Sequence, residues 1–310
     1  MGRFLIRRLL QMVPVLLGAT FIVFAANFAL PGDPVRALGG ERTLPPEQHA
    51  AIVERYNLED PLPVQYGKYV AGVVTGDLGE SLAVRRGRDV SEVMADAFPI
   101  TARLALVAFL VEVTIGVSAG IVAGIRRGSF LDTLVKVSTI AVVSIPIFLT
   151  ALAAQLLFGL RLGWLPIAGT GQGWISYLLP GFVLGSLSLA YVARIMRTSL
   201  VETMGADYIR TATAKGLSRS RVIGRHALRN SLIPVVTFLA FDIGALMSGA
   251  IVTEGIFNLG GIGGVVFQGI RQQDGPVVVG IVTVLVIIFI LANLLVDVLY
   301  AVLDPRIRYG

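Results

Sequence analysis

The chain has 310 residues, 55% of them hydrophobic and 15% charged, with a mean hydropathy of +0.78, a net charge of +6 and no cysteine. Soluble domains carry about 25% charged residues, so too few charges remain here to coat water-facing domains, and the composition speaks against a soluble enzyme. The absence of Cys removes disulfides, thiolate nucleophiles and Cys-ligated metals, and with His49 and His226 as its only histidines the chain offers no imidazole-rich metal site.

About 20 predominantly apolar residues cross the hydrocarbon core of a bilayer. Six such runs follow one another at 9–30, 101–125, 133–159, 177–194, 231–253 and 277–303. Backbone N–H and C=O groups find no water in lipid, so each run is predicted helical, giving an all-α polytopic membrane protein with six transmembrane helices. The first run has a basic start like a signal peptide. Its apolar stretch exceeds the ~7–15 residues of a signal core and no A-x-A site follows, so it is read as a retained span. The expected division is 1–30 for the N-terminus and first span, 31–100 for a polar connection, and 101–310 for a five-helix core.

In the 31–100 connection, Pro45 and Pro46 ahead of Glu47 suit the first turn of a helix running to about Tyr56. Asp60 is placed to cap a second helix through Tyr66 to Val74, and Asp89 with Glu92 forms a D-x-x-E capping arrangement. These predict a small helical cap, too short for a catalytic domain.

Orientation follows from Lys and Arg. Arg3, Arg7 and Arg8 precede the first span; Arg126, Arg127 and Lys136 lie between the second and third; Arg197, Arg210, Lys215, Arg219, Arg221, Arg225 and Arg229 lie between the fourth and fifth; Arg306 and Arg308 end the chain. The opposite side has Arg161, Arg271 and the 31–100 connection, which carries eleven acidic against seven basic residues. Both termini are therefore expected in the cytoplasm and the cap outside it.

Within the second span, Gly116, Gly120 and Gly124 make a doubled G-x-x-x-G, and Gly181 with Gly185 repeats the spacing in the fourth. Small residues at this spacing let helix backbones approach closely in lipid. They read as helix packing, either inside the chain or at a sliding subunit contact. Among the ionisable residues within spans are Arg103, Glu112, Asp242 and Asp297, with Glu112 and Asp242 near mid-span. A mid-membrane charge costs roughly 2.5 kcal/mol or more, so both are expected to face protein or water, as a polar anchor, the lining of a translocation path or a proton relay. The glycine-rich stretch GIFNLGGIGG from Gly255 to Gly264 lacks the Lys-Ser/Thr of a P-loop, and none occurs elsewhere in the chain. No ATP site is expected on this chain, and no catalytic, cofactor or metal residue.

The connection between the fourth and fifth spans, about 195–230, is the most specific segment. Ile209, Arg210, Thr211, Ala212, Thr213, Ala214, Lys215, Gly216 and Leu217 predict a short helix with small residues, broken at Gly216, after which Ser218 is placed to cap a second helix carrying Val222 and Ile223. Positive-inside topology or an anionic-lipid patch accounts for its arginines. Neither accounts for the small residues, which read as a peg for a partner's groove.

This segment resembles the "EAA" loop of permease subunits of ATP-binding-cassette importers. Its AKGL at Ala214 to Leu217 and HALRNSLIP at His226 to Pro234 are similar to the dipeptide/oligopeptide permease group, first-permease type. GDP at Gly32, GDLG at Gly76 followed by Ser81, LGWLP at Leu162 and the ending LDPRIRYG from Leu303 match the same group, so the likeness runs end to end. Arg210 and Thr211 stand where the general motif has Glu and Ala, 216–234 is longer than the general spacing, and Gly260 stands where the group often has Pro. The resemblance implies a type I importer permease in the bacterial plasma membrane, paired with a second homologous permease, two cytoplasmic ATPase subunits that bind ATP and Mg, and an extracytoplasmic peptide-binding protein. It implies dipeptides or short oligopeptides as cargo, with glutathione, nickel complexes or some sugars as the range of similar permeases. A secondary transporter would need coupling-ion groups and a symmetric partner half, and an intramembrane hydrolase a nucleophile with its base or paired carboxylates at mid-membrane. Glu112 and Asp242 could in principle pair but lack flanking motif residues, so both classes stand as alternatives that co-purification of ATPase subunits discriminates from an importer permease.

The charge distribution makes a direct prediction. A reporter fused after Arg127 or Gly224 should lie in the cytoplasm and one fused after Gly87 outside it; a cytoplasmic signal at Gly87 contradicts the six-span topology.

Overall fold

In chain order the helices are α1 (Gly2–Ala29), α2 (Pro46–Arg55), α3 (Leu62–Thr75), α4 (Val90–Val111), α5 (Val117–Ile125), α6 (Phe130–Ser144), α7 (Ile147–Ala154), α8 (Ile175–Met204), α9 (Asp207–Ala214), α10 (Arg219–Arg221), α11 (Leu228–Ser231), α12 (Ile233–Phe257), α13 (Ile262–Arg271) and α14 (Gly275–Leu303). Wider π-helical turns at Glu112–Gly116, Gln155–Arg161 and Val222–Ala227 join or extend several of them. The computed structural model describes residues 2–29, 46–55 and 59–303, and the motifs at Gly32 and 304–310 lie outside the described residues, as does the side chain of Asp297. The chain divides into two compact units, Met1–Ala102 with Asn258–Gly310, and Arg103–Phe257.

In the first unit α3 is fastened by hydroxyls to two apolar helices. Thr20 Oγ1 and Tyr66 Oη are 2.7 Å apart, and the Tyr69 hydroxyl donates to Thr283 Oγ1 at 2.7 Å. Burial pushes the Tyr69 phenol up to about 12, so it remains a donor at physiological pH. Leu78, Val90, Val93 and Ala97 pack with Ile262, Val266, Val277 and Ile281. Asp274, fully buried, accepts from Ser81 Oγ at 2.7 Å and from the backbone N–H groups of Leu82, Ala83 and Val84 at 3.1, 2.8 and 2.9 Å, which ties the 81–84 turn to the start of α14. Two capping expectations are corrected here. The N-cap of α3 is Pro61 without a side-chain cap, because the Asp60 carboxylate is engaged by Lys68 at 2.6 Å. Glu92 turns to Arg88 at 3.3 Å, while the backbone carbonyl of Asp89 receives the N–H groups of Glu92 and Val93.

In the second unit the third predicted span is bent by 104° between Ser144 and Ile147. Pro146 supplies no N–H and disfavours helical geometry in its predecessor; Ile145 is accordingly extended, at φ −98° and ψ 125°. Among the described residues four helices are long and apolar enough to cross a membrane unaided, and counting each of three bent pairs as one span raises this to as many as seven by length and composition, a range that includes the six expected.

The glycine strips meet each other's helices within the chain. A Cβ at Gly116 would lie 3.0 Å from the Leu189 carbonyl, one at Gly120 2.6 Å from that of Ala193, and one at Gly124 2.9 Å from Leu200 Cδ2, all on α8. Reciprocally, a Cβ at Gly181 would lie 2.5 Å from Val107 Cγ1 and one at Gly185 2.6 Å from the Ala108 carbonyl. Both strips lie against this chain's own helices, where the missing Cβ atoms permit the close backbone approach.

Gly120→Leu would force these backbones apart, whereas Leu110 is 51% exposed and has little to lose. Gly120→Leu should therefore reduce the thermal stability and yield of the assembled protein far more than Leu110→Ala, as followed by fluorescence-detected size exclusion after heating. Equal behaviour of the two variants would contradict the strip packing.

Candidate functional site

The connection after α8 is built on one buried face. Ile209 and Ala212, three residues apart on α9, are 3% and 7% exposed and pack with Val192, Met196 and Leu200 of α8, with Val222 and Ala227, and with Val235 and Leu239 of α12. Tyr208, Arg210, Thr211, Ala214 and Lys215 are exposed. Of the two alanines read as one small-residue peg, only Ala214 faces outward. The helical period pairs Ala212 with Ile209 and turns it into its own chain.

The end of α9 is fixed by backbone chemistry. Gly216 has φ +80°; its N–H donates to the Thr213 carbonyl at 2.9 Å and that of Leu217 to the Ala212 carbonyl at 3.3 Å, the paired bonds of a Schellman termination. Leu217 packs against the same apolar cluster. Ser218 occupies the N-cap position of α10, but its side chain makes no capping bond; the Val222 N–H donates to the Ser218 carbonyl instead. Asn230 Nδ2 donates to the Tyr208 hydroxyl at 2.8 Å, and Ser231 Oγ to the Ala227 carbonyl at 2.8 Å. The 219–231 segment therefore clasps α9. Arg219, Arg221, Arg225 and Arg229 are exposed. Ile209 and Ala212 thus seat α9 on α8 and α12, with its outer face free of this chain's core.

The sequence reading missed one participant. Asp132, 1% exposed, accepts a bidentate pair from Arg197 on α8, with Nε at 2.5 Å and Nη2 at 2.9 Å, and also receives the Gly128 N–H at 2.9 Å. This joins the start of α6 to α8 shortly before α9 begins. The S-x-x-D spacing of Ser129 and Asp132 was a signal for it, since Ser129 Oγ caps α6 by accepting from the Asp132 N–H.

Glu112 and Asp242 are brought together. Glu112 opens the π-helical turn after α4 and is 0% exposed; Asp242 on α12 is 7% exposed, and their carboxyl groups interact. Both Glu112 oxygens and Asp242 Oδ2 are buried without a hydrogen-bond partner. On α8, Tyr191 stacks on Phe238, one turn before Asp242, and Arg194 lies over the Tyr191 ring at 4.7 Å.

Comparison with known proteins places this geometry in a family. Residues 116–309 match the binding-protein-dependent transport system inner membrane component, and residues 1–105 match the N-terminal part of the same systems' membrane component. The chain is 39% identical to a di/tripeptide transport system permease protein, DppB, of Pseudomonas aeruginosa strain UCBPP-PA14, with 99% of this chain and 98% of the relative covered. It is 37% identical to the glutathione transport system permease protein GsiC of Salmonella paratyphi A over the full length of both. Among solved structures, an inward-facing MetNI methionine ABC transporter chain aligns with TM-score 0.57 at 19% identity, covering 68% of this chain and 96% of that one, a likeness of fold.

Removing one partner of a buried charge pair costs about 2–5 kcal/mol, and the 20% exposure of Arg197 puts this pair toward the low end. Asp132→Asn should lower the melting temperature of the purified protein measurably, while Arg127→Ala, at an exposed site, should leave it unchanged. Coincident melting curves would contradict the anchoring role.

Proposed function

The chain belongs to the family of binding-protein-dependent transport system inner membrane components, and from that premise we propose that it is one of two permease subunits of an ATP-driven importer for dipeptides or short oligopeptides. Its partners are a second, homologous permease, two cytoplasmic ATPase subunits that bind and hydrolyse ATP with Mg, and an extracytoplasmic peptide-binding protein. Both termini and the 195–230 connection face the cytoplasm in this reading, which the Lys and Arg distribution supports. The chain supplies half of a translocation path and no chemistry of its own.

The observation that carries this reading is the build of α9. It is a short helix seated by Ile209 and Ala212 on α8 and α12, closed by Gly216, with Tyr208, Thr211, Ala214 and Lys215 presented outward. Closure of the ATPase pair pushes this helix, and α8 carries the displacement as a rigid body to the glycine-packed spans. Glu112 and Asp242 belong to the path. The likeness to a glutathione permease supports a second reading, in which the cargo is that tripeptide.

A side chain at Gly216 is disfavoured by about 1–2 kcal/mol at its left-handed φ, so Gly216→Val should misplace α9. Ala214→Glu should burden the outer face with bulk and charge. Both variants should insert normally and lose binding-protein-stimulated ATP hydrolysis in complexes reconstituted with binding protein and peptide, while Arg219→Ala should be mild. Normal stimulation in the first two would return the loop's arginines to the lipid-patch reading.

A further inference from the structure

The 219–231 segment and α12 carry two opposed rows of residues through the 44° bend between them. Val222, Ala227, Ser231, Val235 and Leu239 are buried, and all but Ser231 belong to the cluster that seats α9. The first step of this row spans five residues where the others span four, because the π-helical turn at Val222–Ala227 widens the helix there. The extra residue keeps Ala227 on the buried side and leaves Arg225 and Arg229 on the other. Arg221, Arg225, Arg229 and Ile233 follow at four-residue intervals and Val236 comes three later; all are exposed, Ile233 by 60% and Val236 by 50%. The outer row thus passes from cationic to apolar within one strip.

The cations of this strip have no counterion of their own. No Asp or Glu stands between Asp207 and Asp242, and the guanidinium groups of Arg221, Arg225 and Arg229 have no hydrogen-bond or ion-pair partner among the described residues. Arg197 and Arg210, just before them, are paired with Asp132 and Asp207. Positive-inside topology asks for basic residues in this connection, but not for their alignment with exposed apolar residues at the start of a span. A phospholipid has the same order of parts: an anionic phosphate, which a planar guanidinium engages through paired N–H bonds, and then apolar chains. A soluble anion matches the arginines and leaves Ile233 and Val236 uncovered. We propose that this strip binds anionic phospholipids of the cytoplasmic leaflet, with headgroup phosphates on Arg221, Arg225 and Arg229 and acyl chains along Ile233 and Val236. The lipid holds the 219–231 segment at the bilayer surface from one side, the buried row holds α9 from the other, and the outer face of α9 stays open to a partner. The inference rests on the cytoplasmic placement of the connection and is independent of the cargo.

The test uses the complete complex, with cysteine-free partner subunits, in bilayers of phosphatidylcholine and phosphatidylglycerol at about nine to one, where anionic lipid is scarce enough for local enrichment to show. The chain has no cysteine, so Val236→Cys takes a single bimane label. Bromine is placed on the acyl chains of either the phosphatidylglycerol or an equal amount of the phosphatidylcholine. Brominated phosphatidylglycerol should quench the label about twofold more strongly than brominated phosphatidylcholine, because the arginines concentrate anionic lipid beside position 236. The preference should shrink as salt is raised, a readout that needs no arginine variant. Arg221→Gln, Arg225→Gln and Arg229→Gln together should make quenching by the two lipids equal, and the corresponding Lys replacements should keep most of the preference. A label at Leu110→Cys, an exposed apolar position on α4, should show no preference throughout. Equal quenching with all three arginines present overturns the proposal, as does a preference that survives their loss. So does an absence of quenching by either lipid at position 236, which puts the strip under a protein subunit. A reporter after Gly224 found outside the cytoplasm would instead contradict the topology on which the inference rests.

Discussion

The close approach of the second span to α8 is the contact on which the rest of the second unit depends. A Cβ at Gly120 would stand 2.6 Å from both the Ala193 carbonyl and Met196 Cβ, and one at Gly185 2.6 Å from the Ala108 carbonyl. Lipid offers no hydrophobic effect to drive helices together, so dispersion across backbones in near contact has to do it. With its glycines facing α4 and those of the second span facing its lower half, α8 becomes a platform. Met196 and Leu200, which fill the strip on one side, belong to the cluster that seats Ile209 and Ala212 on the other. The Asp132 and Arg197 pair fixes the same helix at the level where α9 begins. Packed interfaces of this density move as units.

What moves is then confined to a few places. The Schellman end at Gly216, set by backbone hydrogen bonds, and the 44° bend between the 219–231 segment and α12, beside Pro234 with its missing N–H, define the borders of the connection. Wider π-helical turns occur at Glu112–Gly116 and Val222–Ala227, one leading to the carboxylate pair and one behind α9. Such turns mark positions where a helix tolerates an altered register at small cost. On the proposed coupling, a displacement entering at Ala214 would meet the packing of α9 on α8 and α12 before it reached the wider turn at Glu112–Gly116.

Much of this was legible in the sequence, for identifiable reasons. Hydropathy reports spans because the bilayer forces helices, and Gly216 announced a left-handed φ because few other residues adopt one. The bend of the third span was also written there, in Pro146, but its apolar run masked it. Capping residues misled where a stronger partner intervened: Lys68 took Asp60 and Arg88 took Glu92. Asp132 and Arg197 were hidden by separation, 65 residues apart, since a charge next to a span reads as topology until its partner is placed. Glu112 and Asp242 were visible singly as mid-span charges, but their pairing depends on the packing of α12, which no periodicity reports. Ala212 and Ala214 show why spacing matters, because small residues two positions apart on one short helix face nearly opposite ways.

The central claim is that the outer face of α9 is the contact with the ATPase. The chain has no cysteine, so Ala214→Cys introduces its only thiol. In complexes assembled with single-cysteine ATPase subunits, a short homobifunctional thiol reagent should link position 214 to the ATPase groove, with the yield changing between nucleotide-free and ATP-bound complexes. The same reagent on Ala212→Cys, which faces α8 and α12, should give no link. Absence of any link from position 214, or equal linkage from both positions, would contradict the account.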